Sequence, residues 1–199
     1  LVSANVMDID MDEDKADIKG DIQLQRKTVF EQDIDERERI LKSERTFMSC
    51  DSLRYFMEKD SDRLFMDGNV KVWQKDKLIQ GDSAYYQEEG DAFWIEGKVS
   101  LKADSLDWMI DQKRKPSFSN KDLADGISKP VEVTCHRISF SAKDRTLTCE
   151  QNVRIVQEDK EIRCDVLTFH DETGTITLEG HVSVRLDDGE TFFTHHKHC

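Results

Sequence analysis

Three aspartates, Asp51, Asp82 and Asp165, stand in one local setting: a small or aliphatic residue two positions on and an aromatic four positions on. Carboxylates held in pairs perform general acid–base work or glycoside hydrolysis. The C-terminal run His195-His196-Lys197-His198-Cys199 carries transition-metal ligand types. Five cysteines, at 50, 135, 149, 164 and 199, offer thiol chemistry but form no CxxC pair and no zinc spacing. Nucleophile-elbow, P-loop, HExxH and dinucleotide-binding patterns do not occur in the sequence. What remains depends on the elements that hold the aspartates and thiols.

Those elements repeat. A first phrase reads Gly68-Asn69-Val70-Lys71-Val72, Gly97-Lys98-Val99-Ser100-Leu101 and Gly180-His181-Val182-Ser183-Val184. Gln151-Asn152-Val153-Arg154-Ile155 is a copy without its glycine, and Gly20-Asp21-Ile22-Gln23-Leu24 is an earlier one. The step from 68 to 97 is 29 residues, and so is the step from 151 to 180. The second phrase is the aspartate one: Asp51-Leu53-Tyr55, Asp82-Ala84-Tyr86, His136-Ile138-Phe140 and Asp165-Leu167-Phe169. The two phrases alternate about every 15 residues, and 136–184 copies 51–101, with an offset of 83 from Val70/Val153 through Val99/Val182. A fixed period signals a stacked architecture.

The stack changes the reading of the reactive residues. An aspartate that recurs once per layer serves the layer, through hydrogen bonds at a turn, so no catalytic residues are assigned. His136 occupies the aspartate position of its sister strands and receives the same structural reading. The terminal histidines lie on no single face of an element, so neither a metal site nor a cofactor is assigned. Cys50, Cys135 and Cys164 each precede the second phrase, so stacked equivalents could bridge in an oxidising compartment. Cys149 shares a column with Met66, Ile95 and Leu178 and reads as a small buried hydrophobe.

Within each phrase apolar and polar residues alternate, which points them to opposite faces of a strand. The inward set is Leu53, Tyr55, Val70, Val72, Ala84, Tyr86, Val99, Leu101, Ile138, Phe140, Val153, Ile155, Leu167, Phe169, Val182 and Val184. One apolar and one wet face is the pattern of an antiparallel sheet folded on itself. A glycine at a fixed point of each strand marks a bend. The fold class expected is therefore all-β, an elongated twisted stack of antiparallel strands. Phe93, Trp94, Phe140 and Phe169 are large enough to fill its interior.

Composition agrees with a thin core. The chain has 199 residues, 37% hydrophobic and 36% charged. Its net charge of −13 repels a phosphate backbone, and no basic stripe with interleaved aromatics occurs, which excludes nucleic acid as the expected partner. Lys113-Arg114-Lys115 reads as a solvated loop. No apolar run reaches the ~18 residues of a membrane-crossing helix. Val2-Ser3-Ala4 has the small-residue form of a signal-peptidase site. The expected organisation is a flexible acidic N-terminus at 1–17, a β domain over 18–186, and a polar His-rich tail at 187–199. Within that domain, 25–49 reads as a charge-rich insertion, helix or loop. The stretch 102–130 reads as a loop insertion in which Asp104-Ser105 caps a short helix running to about Lys115.

The motifs at 67–72 (Asp-Gly-Asn-Val-Lys-Val), 81–86 (Gly-Asp-Ser-Ala-Tyr-Tyr) and 96–101 (Glu-Gly-Lys-Val-Ser-Leu) resemble the OstA/LptA/LptC group of lipopolysaccharide-transport proteins. The second unit repeats them at 164–169 and 179–184, so the resemblance covers about half of the chain. It implies a long twisted β-jelly roll, open along one side, whose inward set lines an apolar groove. It further implies a periplasmic location, lipopolysaccharide or a similar acylated lipid as ligand, and docking of other jelly-roll modules through edge strands. An attachment to the inner or outer membrane through a missing segment stays open. The competing expectation, from the residues alone, is a structural or adhesion-type stack with a closed core and no lipid.

Overall fold

A computed structural model describes residues 2–12, 14–26, 46–57, 62–87, 92–105, 129–141, 143–170, 173, 175–185 and 191–194. The elements are β1 (Val2–Ser3), β2 (Val6–Asp10), β3 (Lys15–Arg26), β4 (Thr46–Phe56), β5 (Arg63–Gln74), β6 (Lys77–Gln87) and β7 (Ala92–Ala103). They continue with β8 (Val131–Ser141), β9 (Thr146–Gln157), β10 (Lys160–His170), β11 (Thr175–Glu179), β12 (Val182–Arg185) and β13 (Thr191–Thr194). All belong to one antiparallel sheet, in the order β1-β3-β4-β5-β6-β7-β8-β9-β10-β12-β13. β2 pairs with β3 beyond β1, and β11 pairs with β10 beyond β12. The described sheet does not close: β1 and β13 stand at opposite ends of the order.

Each long strand alternates as its sequence predicts. In β5, Leu64, Met66, Val70 and Val72 face the interior, while Lys71 faces out. In the even-numbered strands the strict alternation breaks once, where the inward residues step by three, from Cys50 to Leu53, Cys135 to Ile138 and Cys164 to Leu167. Every pairing between β3 and β10 shifts register near its middle, for example between Asp67/Val70 on β5–β6 and Glu96/Val99 on β7–β8. Odd-numbered strands from β3 to β9 have 12 residues and even-numbered ones have 11. The extra residue belongs to a β-bulge, which bends the strand and resets which side faces in. Aligned across the sheet, these bulges form a crease, and residues on both sides of it share one core. Ile18, Leu53, Met66, Ile95 and Ile138 come from one side, and Ile22, Val70, Val99 and Val153 from the other. This is an elongated, twisted β-jelly roll.

The structure departs from the sequence-based boundaries in four places. Residues 2–10, expected to lack regular structure, form two short strands on β3. Backbone pairing needs no apolar period, and Val6, Met7 and Ile9 remain exposed there. Residues 46–49, assigned to the charge-rich insertion, already belong to β4, and β3 runs on to Arg26. The β7 strand continues through Ala103, past the expected start of the 102–130 loop. Thr191–Thr194, in the expected tail, pair with β12 as β13. Apart from Asp104 and Ser105, the helix expected to run to about Lys115, the basic run 113–115 and the terminal histidines lie outside the described residues.

Candidate functional site

The crease explains both sequence phrases. Gly97 and Lys98 adopt left-handed backbone, with φ of +81° and +49°, and so do Gly68 and Asn69 at +77° and +50°. Two such residues in succession turn the strand sharply, and glycine takes this conformation without a Cβ penalty. The aspartate of the preceding strand fills the space that glycine leaves. A Cβ on Gly97 would stand 2.7 Å from Cβ of Asp82, and one on Gly68 would stand 2.9 Å from Cβ of Asp51. Asp165 covers Gly180 in the same way, and its backbone N–H donates to the Gly180 carbonyl at 3.1 Å. The residue after the glycine then returns a contact: Asn69 Nδ2 donates to Asp51 Oδ2 at 2.8 Å, and His181 Nδ1 lies 2.7 Å from Asp165 Oδ2. The aspartates are thus spaced one per crease layer, each engaged locally.

The third crease is built differently. Gln151 and Asn152 hold φ of +62° and +55° without glycine, and His136 stands where the other layers have aspartate. Aspartate and glycine are therefore lost together, as expected if one exists to cover the other.

The inward residues fall into two classes. Leu53, Val70, Ala84, Val99, Leu101, Ile138, Val153, Leu167 and Phe169 are buried, with Val70 at 0% and Val99 at 1% exposure. Tyr55, Val72, Tyr86, Ile155, Val182 and Val184 are half-buried, and Phe140 is 39% exposed. The interior is a packed floor with an apolar rim. Leu64, Ile79, Phe93 and Leu147, which the phrase alignment passes over, belong to the same rim. For three of them the signal was available: Leu64, Phe93 and Leu147 lie in phase with Val70, Val99 and Val153 of their own strands, whereas Ile79 is out of phase with Ala84 because the alternation breaks between them.

Trp94, expected inside, faces out. Its ring packs against that of Tyr85 in a tilted arrangement, 4.0 Å between centroids, and Tyr85 packs against Phe65 at 4.6 Å. Arg54 caps the Phe65 end at 5.6 Å and Arg137 lies over Trp94 at 5.1 Å. This row leaves Tyr85 only 9% exposed although it is on the outer face. A depression of about 840 Å³ is lined by Lys71, Trp73, Leu78, Lys102 and Val156 among others, and reaches the core residues Ala103 and Val131.

The thiols sit at the crease. Cys50, Cys135, Cys149 and Cys164 are buried and free. Burial pushes the Cys50 and Cys164 thiols up to about 11. Cys149 is pushed up by its hydrogen bond to Cys135, then by burial. The same bond lowers Cys135. Among the described residues no three His, Cys, Asp or Glu side chains converge as a metal site. No helix among them is long and apolar enough to cross a membrane.

The family described as "LptA/(LptD N-terminal domain) LPS transport protein" matches residues 49–192. The chain belongs to this family. The matched span starts in β4, covers every crease from Asp51–Gly68 to Asp165–Gly180, and ends in β13. A similar solved structure is LptH of Pseudomonas aeruginosa, titled the LptA-homologous periplasmic component of its lipopolysaccharide transport device. The two align with a TM-score of 0.50 over 71% of this chain and 94% of that one, at 10% identity. That likeness is one of fold. No curated protein matches the chain by sequence.

Proposed function

We propose that this lipopolysaccharide-transport domain works in the periplasm by shielding acyl chains along its apolar interior, without catalysis. The observation that carries this is the rim. Half-buried Tyr55, Val72, Tyr86, Ile155 and Val184, with exposed Phe140, leave apolar surface uncovered beyond a floor that is already packed. Each CH₂ of an acyl chain moved from water onto such a surface contributes about 0.8 kcal/mol, independent of headgroup. The chain would lie along the stack, over Val70, Val99 and Val153, with one strand pair per layer lining it. The two sheet ends, at β1/β2 and β13, offer backbone edges for strand addition by further jelly-roll modules.

Photocrosslinking to lipopolysaccharide tests the reading. Probes at Val72, Ile155 and Val184 are expected to label lipid, and probes at the outward Lys71 and Arg154 are not. Equal labelling of both sets, or none, would favour a stack whose core serves only its own stability. Val99 is too deeply buried to be informative, since a charge there tests folding first.

A further inference from the structure

Cys135 on β8 and Cys149 on β9 flank the third crease, the one that lacks the aspartate–glycine pair. Both face the interior, at 8% and 2% exposure. Their thiols are in hydrogen-bond contact, Cys149 donating to Cys135. Cys135 Sγ in turn donates to the Arg137 carbonyl at 3.3 Å. Cys135 is also fixed on its own strand by the Cys135–Val99 register with β7, and Cys149 by its registers with Ile138 and Leu167. Two thiols pinned in contact on neighbouring strands need little further ordering to become bonded.

We infer that Cys135 and Cys149 are a disulfide site, joined as the chain folds in an oxidising compartment and stapling β8 to β9 across the crease. The inference rests on the periplasmic reading only for its oxidant, the disulfide of a thiol–disulfide exchange partner. Cys135, as thiolate, attacks one sulfur of that disulfide, forming a mixed disulfide and expelling the other sulfur as thiolate. Cys149 then gives up its proton and attacks the Cys135 sulfur, and the partner leaves as a dithiol. The two thiols lose two protons and two electrons, and the partner gains them. The pairing differs from the one the repeat suggested among Cys50, Cys135 and Cys164, because the thiol beside Cys135 is Cys149 of the next strand, which stands opposite Ile138. Cys164 is the competitor, since it also lies near enough to Cys149 to act on its charge.

Purified full-length chain, unfolded and reduced, is refolded in a buffer of reduced and oxidised glutathione, alkylated and peptide-mapped. The expected result is a dominant Cys135–Cys149 linked peptide and a Tm about 5–10 °C above that of the reduced protein, given a closed loop of about 15 residues. Cys135→Ser should lose both link and increment, whereas Cys50→Ser should keep both. All thiols alkylated after refolding, or Cys149–Cys164 as the main link, would overturn the inference. The map of the unmutated chain decides this even if a serine variant misfolds. The measurement needs no lipid, so its failure leaves the transport reading where crosslinking puts it.

Discussion

The two sequence copies, β4–β7 and β8–β12, share one backbone plan but are held together differently. The first copy has aspartate on glycine at both creases and an aromatic row outside, Phe65–Tyr85–Trp94, between two arginines. In the second, the same outer row continues as Ser139, Thr148, Thr168 and Thr177, and one crease is Gln151-Asn152 under His136. Its compensation is local: paired thiols inside, and Glu161 outside between Arg154 and Arg163. The lesson is that the backbone bend is what the repeat preserves, and that two side-chain solutions reach it. The first uses the absence of a Cβ. The second tolerates about 1–2 kcal/mol of left-handed strain per non-glycine residue.

The sharpest way to break this comparison is Gly97→Ala. It adds left-handed strain and a methyl against Asp82, so a loss of about 2–4 kcal/mol is expected in urea melts. A loss under ~1 kcal/mol would mean that glycine is incidental to the bend. Tyr85→Ala removes two ring contacts from the first copy, for an expected loss of about 2 kcal/mol. Thr148→Ala, on the corresponding outer row of the second copy, should cost under ~0.5 kcal/mol; equal effects would erase the contrast between the two outer rows.

Gln151→Gly works in the opposite direction. It relieves strain at φ +62° and should stabilise the protein by about 1 kcal/mol, visible as a higher urea midpoint at unchanged slope. Destabilisation would show that the Gln151 side chain supports the third crease after all. The smallest effect concerns pH. Hydrogen bonds from Arg154, then Arg163, hold the Glu161 carboxyl below its ordinary value of 4.5. A depressed acid stabilises the fold fully above that value and less as pH falls through the lowered one. Glu161→Gln should therefore lower stability slightly at neutral pH and leave it unchanged in acid, which flattens the acid limb. An unaltered limb would assign the arginines no share in it.

Much of this was legible in the residues. Val70/Val72 and Val99/Leu101 gave the strand period, and five consecutive left-handed pairs, at 20/21, 68/69, 97/98, 151/152 and 180/181, coincide with the first phrase and its copies. The joint loss of aspartate at 136 and glycine at 151 was visible as well, but its cause was not. The partners belong to neighbouring strands about 15 residues apart, and only the bulge register brings one over the other. Trp94 was misread because Phe93 and Trp94 are adjacent and both large; phase with Ile95 sends Phe93 inward and Trp94 out. The N-terminal strands escaped detection because Val6–Asp10 pairs by backbone, with no buried face to impose a period. Which inward residues form floor and which form rim was not legible from the phrase: Phe169 is buried where Phe140 is exposed, and Val182 is half-buried where Val70 is buried.

The direction of the hydrogen bonds has a mechanical consequence. The strands lie across the long axis, so their ladders point along it. Ten steps separate the ends of the strand order, about 48 Å at the usual strand spacing. Tension applied between those ends would load the rungs in series and peel one strand at a time. Each peeled strand of 11 or 12 residues would pay out roughly 40 Å of slack. A span of this design is compliant under pull: it lengthens by whole strands at low force and re-zips when the force drops.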